Sequence, residues 1–426
     1  MEALRCAPPV RKTPIAGRLL MALGLCLLAV PAMAMPEPPP LTEEVVVRMA
    51  LARPALAERF EGSVAAAQAQ AAVAGALANP EVAYLREELF EGAAPVEERL
   101  TVSQLVDLGN RRGLQQEAGE RRADAVRRDD EAMRRAIAAD ARARFYEVLF
   151  RKARVAAIGH WITQVDRARS LIARREERGD AAGYDLRRVE RERVVAEGWL
   201  AFEQAALERA GARLEALLTE EGSGATSRVS GALLPTEGPM SLEALQVALA
   251  SRPALLARTL DLEASTLEGL AAERWWIPDL RIEAGWRVAD RGGQAEADGL
   301  ALGASVELPL WGAAQSRVRV ASGVAQAARG QLARSESELR AELAGLHAAS
   351  VRLQEAAARF LAQSSAASAD LVRMASVGHV GGEFSLLELL DAYRGETDDA
   401  LRGLEMALAA RQARIELEQL TGAALP

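Results

Sequence analysis

The sequence predicts a mainly α fold with a small β part, arranged as two structural repeats that each carry a long antiparallel coiled-coil hairpin. Three observations predict it. Residues recur at a constant offset of 199, so that Thr42, Glu44, Arg53, Pro54 and Ala55 are answered by Ser241, Glu243, Arg252, Pro253 and Ala254. Each half shows runs of period two followed by a long stretch whose apolar residues lie three and four apart. Only 4% of the 426 residues are aromatic and Ala is abundant, which favours helices packed through small side chains over one thick core.

The chain opens on Arg5, Arg11, Lys12 and Arg18, then an uncharged run from Leu19 to Met35 that includes Pro31 and Ala32-Met33-Ala34. This reads as a secretory signal over residues 1–34, cleaved after Ala34. The run is shorter than the roughly 20 residues a spanning helix needs. Cys6 and Cys26 are the only cysteines and leave with the signal, so the mature chain has no disulfide and no thiolate ligand. Cys26 lies within the apolar run behind the bulky Leu25, which argues against lipidation. The net charge of −8 becomes more negative once the basic leader is gone. An acidic exported chain makes a poor nucleic-acid binder, and no nucleic-acid partner is expected.

The first repeat spans 35–218, a Gly-, Ser- and Thr-rich linker follows over 219–239, and the second repeat spans 240–426. In the second repeat a hairpin is expected over 279–311. Leu280, Ile282, Ala284, Trp286 and Val288 alternate with Arg281, Glu283, Gly285 and Arg287, and Leu300, Leu302, Ala304, Val306 and Leu308 with Ala301, Gly303, Ser305 and Glu307. Ten or eleven residues per strand is the length that crosses a bilayer when tilted. The first repeat has a weaker hairpin within 81–108, with strands at about 81–90 and 99–108 and breaks in the alternation. Trp275, Trp276 and Trp311 stand at strand ends, where an interfacial aromatic girdle belongs. Periodicity alone fits a half-buried soluble sheet equally well. Two hairpins cannot close a barrel, and an open edge is intolerable in lipid, so the membrane reading requires an oligomer.

The long helices follow. Leu339, Leu343, Leu346, Ser350, Leu353, Ala357, Phe360, Ser364, Ala367, Leu371 and Met374 keep a 3,4 spacing through five heptads. Ile137, Ala141, Val148, Val155, Ile158, Ile162, Val165 and Ile172 do the same in the first repeat, interrupted by arginines. A helix over 111–177 is roughly 100 Å long at 1.5 Å per residue, more than any compact domain needs. Glycines near 178–184 and 377–384 mark the turns from which a return helix starts, at Leu186 and at Leu387.

With this plan, with Asn79-Pro80-Glu81-Val82 and Ile277-Pro278-Asp279-Leu280 at the strand starts, and with Glu383-Phe384-Ser385-Leu386-Leu387-Glu388-Leu389-Leu390-Asp391-Ala392 after Gly378, the chain resembles the TolC-like outer-membrane efflux protein family. Asp107-Leu108-Gly109-Asn110-Arg111-Arg112 and the short hairpins are most similar to the outer-membrane subunits of cobalt-zinc-cadmium heavy-metal efflux systems, although Trp311-Gly312-Ala313-Ala314-Gln315 departs from that subgroup's usual basic and Asn residues. The resemblance implies a homotrimer whose four strands per chain form a 12-stranded outer-membrane β-barrel, continued by a periplasmic α-barrel. It implies outer-membrane lipid around the barrel, a periplasmic adaptor at the tunnel tip, and an inner-membrane pump of the proton-driven (RND) type. The tip residues for the adaptor are Arg178, Gly179 and Asp180 with Val377, Gly378 and His379. Glu388 and Asp391, at i and i+3 after the tip, become a ring of carboxylates under threefold symmetry and form the pore constriction, which favours cations.

A passive duct needs no catalytic residue and no cofactor, and no enzyme is expected. The three histidines, His160, His347 and His379, are far apart in sequence, and no Gly-x-Ser-x-Gly, Walker or Gly-x-Gly-x-x-Gly motif occurs. No resident metal site is expected. Arg111-Arg112, Arg121-Arg122 and Arg127-Arg128 read as a solvated helix face rather than a lipid-headgroup contact. A drug or protein secretion duct and a pore-less periplasmic coiled-coil scaffold are the alternatives to a metal duct. The bilayer-length strands speak against the scaffold.

Overall fold

The computed structural model describes residues 40–88, 96–178, 183–218, 224–290, 297–308 and 313–422. The expected signal, the turn 179–182, the first residues of the linker and Trp311 lie outside them. Short α1 (Glu43–Leu51) leads into α2 (Pro54–Gly75), then β1 (Glu81–Glu88), β2 (Val96–Val106), the 67-residue α3 (Arg111–Glu177) and α4 (Gly183–Glu215). After the four-residue α5 (Ala225–Arg228) the order repeats as α6 (Leu242–Ala250), α7 (Pro253–Glu273), β3 (Leu280–Asp290), β4 (Ala297–Val306), the 69-residue α8 (Ala313–Gly381) and α9 (Leu386–Thr421). The order of two helices, a hairpin, a long helix and a return helix thus occurs twice along the chain.

Local signals account for the boundaries. Pro54 and Pro253 occupy the first helical turn of α2 and α7, where a missing N–H costs nothing. Ser241 caps α6 by accepting from the Ala244 N–H. Asn110 takes a left-handed conformation, φ 51°, to swing the chain from β2 into α3, while the Asp107 carboxylate accepts from the Arg112 N–H at 2.7 Å. Gly422, φ 71°, ends α9 with its N–H on the Glu418 carbonyl.

Three apolar clusters hold the helices together along their length. One gathers Val46, Phe145, Val148 and Leu214 from α1, α3 and α4. A second, toward the tip, joins Ile158, Val165, Ile172, Val189, Leu389 and Leu390. The third packs Leu245, Leu255, Leu343 and Leu417. Two arginines of α3 next to the seam residues Ala141 and Val155 are buried and paired. Arg142 holds Glu43 and Glu418, and Arg154 holds the buried Glu203 at 2.8 Å together with Glu405. The linker does more than connect, because Val229 is buried and forms a parallel bridge with Leu41.

Two expectations need correction. Leu371 and Met374, placed on the α8 seam by the heptad spacing, are 60% and 56% exposed, while Ser368 and Ala375 are buried in their stead. An undistorted helix drifts about 20° per heptad against a 3.5-residue repeat, so five heptads move the seam by about one residue. The second tip turn also comes later than the glycines suggest. Val377, Gly378, His379 and Val380 are still helical, and the chain turns between Gly382, φ 82°, and Ser385.

Candidate channel wall and tip

The four strands form one antiparallel sheet in the order β1-β2-β3-β4, leaving β1 and β4 as its edges. The register aligns side chains of one kind into rows. Val82, Val102, Ala284 and Leu302 form one row, Tyr84, Leu100, Trp286 and Leu300 the next, and Ile282 with Ala304 and Leu280 with Val306 continue the same face toward the helices. All of these side chains except the half-buried Leu280 are exposed, Leu302 to 75%. The four rows cover about 20 Å of strand at 3.4 Å per residue. Beyond them the apolar face is closed by a polar row, where Arg86 donates to Glu98 at 2.9 Å beside Asp298.

The opposite face carries small and charged residues. Ala83, Thr101, Gly285 and Ala301 form a small-residue row, with Glu81, Ser103, Glu283 and Gly303 on one side of it and Leu85, Arg99, Arg287 and Gly299 on the other. Arg281 donates to Glu81 at 2.8 Å and to Ser103 at 3.0 Å, and Arg287 pairs with Glu97. Gly285 belongs there for steric reasons. A Cβ on it would sit 2.1 Å from the Leu100 carbonyl oxygen. A two-faced sheet of this kind can hold lipid on one side and water on the other.

Where the sheet meets the helices, a cleft of about 1010 Å³ opens between α2, α3, α7 and the strand ends. Asp107, Arg111, Arg122, Asp129, Asp261 and Asp279 line it, with Arg111 bonded to Asp279 and Arg122 to Glu268. Burial, with the neighbouring Asp261 charge, raises the Asp129 carboxyl above its ordinary value, and burial likewise raises that of Asp261 against the pull of Arg122 and Arg258. Arg121, Arg127 and Arg128 pair with Glu117, Asp124 and Glu131 on the same helix, as a solvated face does. Alternation along the strands reveals the polar face of the sheet. The cleft's charges, drawn from α3, α7 and the segments flanking β2 and β3, carry no comparable signal in the sequence.

The three tryptophans divide. Trp276 is 66% exposed in a 3₁₀ turn (Arg274–Trp276) at the helix-side end of the apolar face, Trp275 instead lines the cleft, and Trp311 is outside the described residues.

At the far end of the helices, Arg178 closes α3, and Gly179 and Asp180 are outside the described residues. Val377 is exposed, Gly378 is packed so tightly that a Cβ would lie 2.2 Å from the Phe384 ring, and His379 is 95% buried with Nδ1 3.0 Å from the Phe384 carbonyl oxygen. Glu388 is the fourth residue of a capping box: its carboxylate accepts from the Ser385 N–H at 2.7 Å and O–H at 2.8 Å. Those two bonds hold its carboxyl below the ordinary value while it stays fully exposed. Asp391 is exposed one turn later. Among the described residues no helix is long and apolar enough to cross a membrane, and no three His, Cys, Asp or Glu side chains gather as a metal site.

Residues 244–423 match the family model described as outer membrane efflux protein. No curated protein sequence matches the chain. Among solved structures, the chain is similar to a membrane protein from Pseudomonas aeruginosa, with 17% identity over 89% of this chain and 92% of that one and a TM-score of 0.75. It is similar to the outer membrane protein VceC from Vibrio cholerae, with 16% identity over 89% and 96% and a TM-score of 0.75. It is also similar to the CmeC outer membrane channel from Campylobacter jejuni, with 13% identity over 92% and 90% and a TM-score of 0.72. The expected location, an outer membrane with the helical body in the periplasm, agrees with both kinds of match. The second repeat therefore carries the pattern of the outer membrane efflux protein family, and the described chain has the fold of outer-membrane channels.

Proposed function

We propose that the protein is the outer-membrane duct of a tripartite efflux system, passive in itself, working as a homotrimer with a periplasmic adaptor and a proton-driven inner-membrane pump. The observation that carries this reading is the four-stranded sheet with one apolar face, one polar face and two free edges, set at the end of helices some 67 to 69 residues long. Four strands cannot close, and free edges are not tolerated in lipid. Three copies, with β4 of each pairing with β1 of the next, give 12 strands and remove every edge. The polar rows then line water and the apolar rows face lipid. Trp276 and Leu308, both exposed at the helix-side end, extend the apolar belt to the membrane boundary.

The cargo of this reading is a divalent heavy-metal cation, filtered by Glu388 and Asp391 around the threefold axis. The capping bonds that keep Glu388 ionised support a fixed anionic ring. Arg178, the 179–180 turn and the Val377–His379 end of α8 contact the adaptor. A deletion strain grown on graded zinc, cobalt, cadmium and copper beside hydrophobic drugs tests the cargo: sensitivity to metals alone supports it, and sensitivity to drugs alone replaces metals with drugs in the same duct. Planar-bilayer conductance of the Glu388→Gln, Asp391→Asn protein tests the ring, and an unchanged cation preference rejects it.

A further inference from the structure

Toward the tip end of the helical body, α3 and α9 face each other beside the Ile158, Trp161 and Val165 cluster, and three polar side chains meet there. His160 and Gln164, one turn apart on α3, converge with Glu396 of α9. The Gln164 Nε2 lies 2.6 Å from Glu396 Oε2 and 3.1 Å from His160 Nε2, and the two last atoms are 3.8 Å apart. Gln164 is 95% buried, and its Oε1 has no hydrogen-bond partner. An amide buried with its oxygen idle and its nitrogen spent on two acceptors is a poor arrangement for a purely structural link, since a buried acceptor left unmade is costly.

We propose that His160, Gln164 and Glu396 form a site for a divalent transition-metal ion of the zinc class, bridging the first repeat to the second. Rotation of the Gln164 amide by 180° exchanges its oxygen and nitrogen. It then presents three acceptors of different kinds, an imidazole nitrogen, a carboxylate and an amide oxygen, to one point. Metal–ligand bonds of 2.0–2.2 Å in a tetrahedron set donors about 3.3 Å apart, and the three observed separations of 2.6, 3.1 and 3.8 Å bracket that value. The exposed edge of His160 leaves a fourth position to water. Without the metal the amide serves as a placeholder, its N–H groups donating to the same two partners. An imidazole and a carboxylate select a borderline ion over calcium or magnesium, which favour all-oxygen cages. The site lies apart from Glu388 and Asp391, and it stands whether the duct carries metals, drugs or neither.

The test is calorimetric titration of Zn²⁺ into the full chain, purified in detergent without a histidine tag and stripped with chelator. One ion per chain is expected, with a rise in unfolding temperature that His160→Ala and Glu396→Gln each abolish and that His347→Ala and His379→Ala leave intact. Co²⁺ at the same site should give a visible d–d band that disappears in His160→Ala. Absence of stoichiometric binding, or binding unaltered in the His160→Ala, Glu396→Gln double variant, overturns the proposal. His160→Gln, which keeps the size and polarity of an already exposed side chain, replaces His160→Ala if that variant does not fold.

Discussion

Asp399 on α9 accepts hydrogen bonds from Ser364 and Ser368, one turn apart on α8, and these bonds hold its carboxyl below the ordinary value against a smaller opposing effect of burial. A carboxylate whose folded pKa is depressed stabilises the fold above its unfolded value of about 3.9, and that contribution disappears as pH falls through the folded value. The Ser364→Ala, Ser368→Ala protein is therefore expected to unfold at a lower temperature than the parent at pH 7, with the gap closing below about pH 4. A gap that stays the same size at every pH as the solution is acidified assigns the loss to packing instead. Sequence reading found Ser364 on the seam and had no way to see its partner 35 residues away. The same is true of Arg142. It lies beside the seam residue Ala141, outside the 3,4 spacing, and the approach of Glu43 from α1 and Glu418 from α9 accounts for its burial there. A buried charge of this kind leaves no mark in the spacing, because its partners come from other elements.

The second hairpin was legible as an element because the alternation has no break from Leu280 to Val288 or from Leu300 to Leu308, although β3 runs on to Asp290 and β4 begins three residues earlier, at Ala297. The first hairpin read weakly for a physical reason. In β1 the breaks, Leu85 and Arg86, fall beyond the apolar rows, where Arg86 meets Glu98, and in β2 Gln104 stands on the apolar face beside Ile282 and donates to the Ala78 carbonyl at 2.8 Å. The α8 seam shows the opposite failure. Its spacing was read at the coiled-coil period, whereas the helix runs at its own, and the error reached a full residue by Leu371. Within the sheet, Gly285 is the position least able to change, since its missing Cβ makes room for the Leu100 carbonyl and Thr101. Gly285→Val is expected to cost at least the about 1–3 kcal/mol of an overpacked site and to reduce the chain recovered from the outer-membrane fraction, while Gly299→Val, with open space around it, leaves recovery unchanged. Equal recovery of the two variants removes the argument for close strand pairing at this row.

At the scale of the whole molecule, one chain leaves apolar surface and strand edges uncovered. β1 and β4 have free edges, and α4 presents Val194, Trp199 and Phe202 to solvent on the side away from the seam of Val189, Ala196 and Leu214 that packs inward. Exposed aromatic residues along one helix face and unpaired strand edges are both surfaces that soluble monomers avoid. Cys6 and Cys26 are the two cysteines of the sequence and neither lies in a strand, so the sheet is free for placed thiols. Ala83 on β1 and the small residues Gly299, Ala301 and Gly303 on β4 share the polar face, and a cyclic trimer brings β1 of one copy beside β4 of the next. Ala83→Cys combined in turn with Gly299→Cys, Ala301→Cys or Gly303→Cys is expected to give one pairing that oxidises to covalent dimers and trimers on a denaturing gel, because only one register sets the Cα atoms within the 4.4–6.8 Å a disulfide allows. Each single-cysteine variant should stay monomeric on that gel. Ladders that run past three copies indicate an open, non-closing association, and a complete lack of cross-linking by all three pairs, in chains that reach the membrane, contradicts closure through β4 and β1.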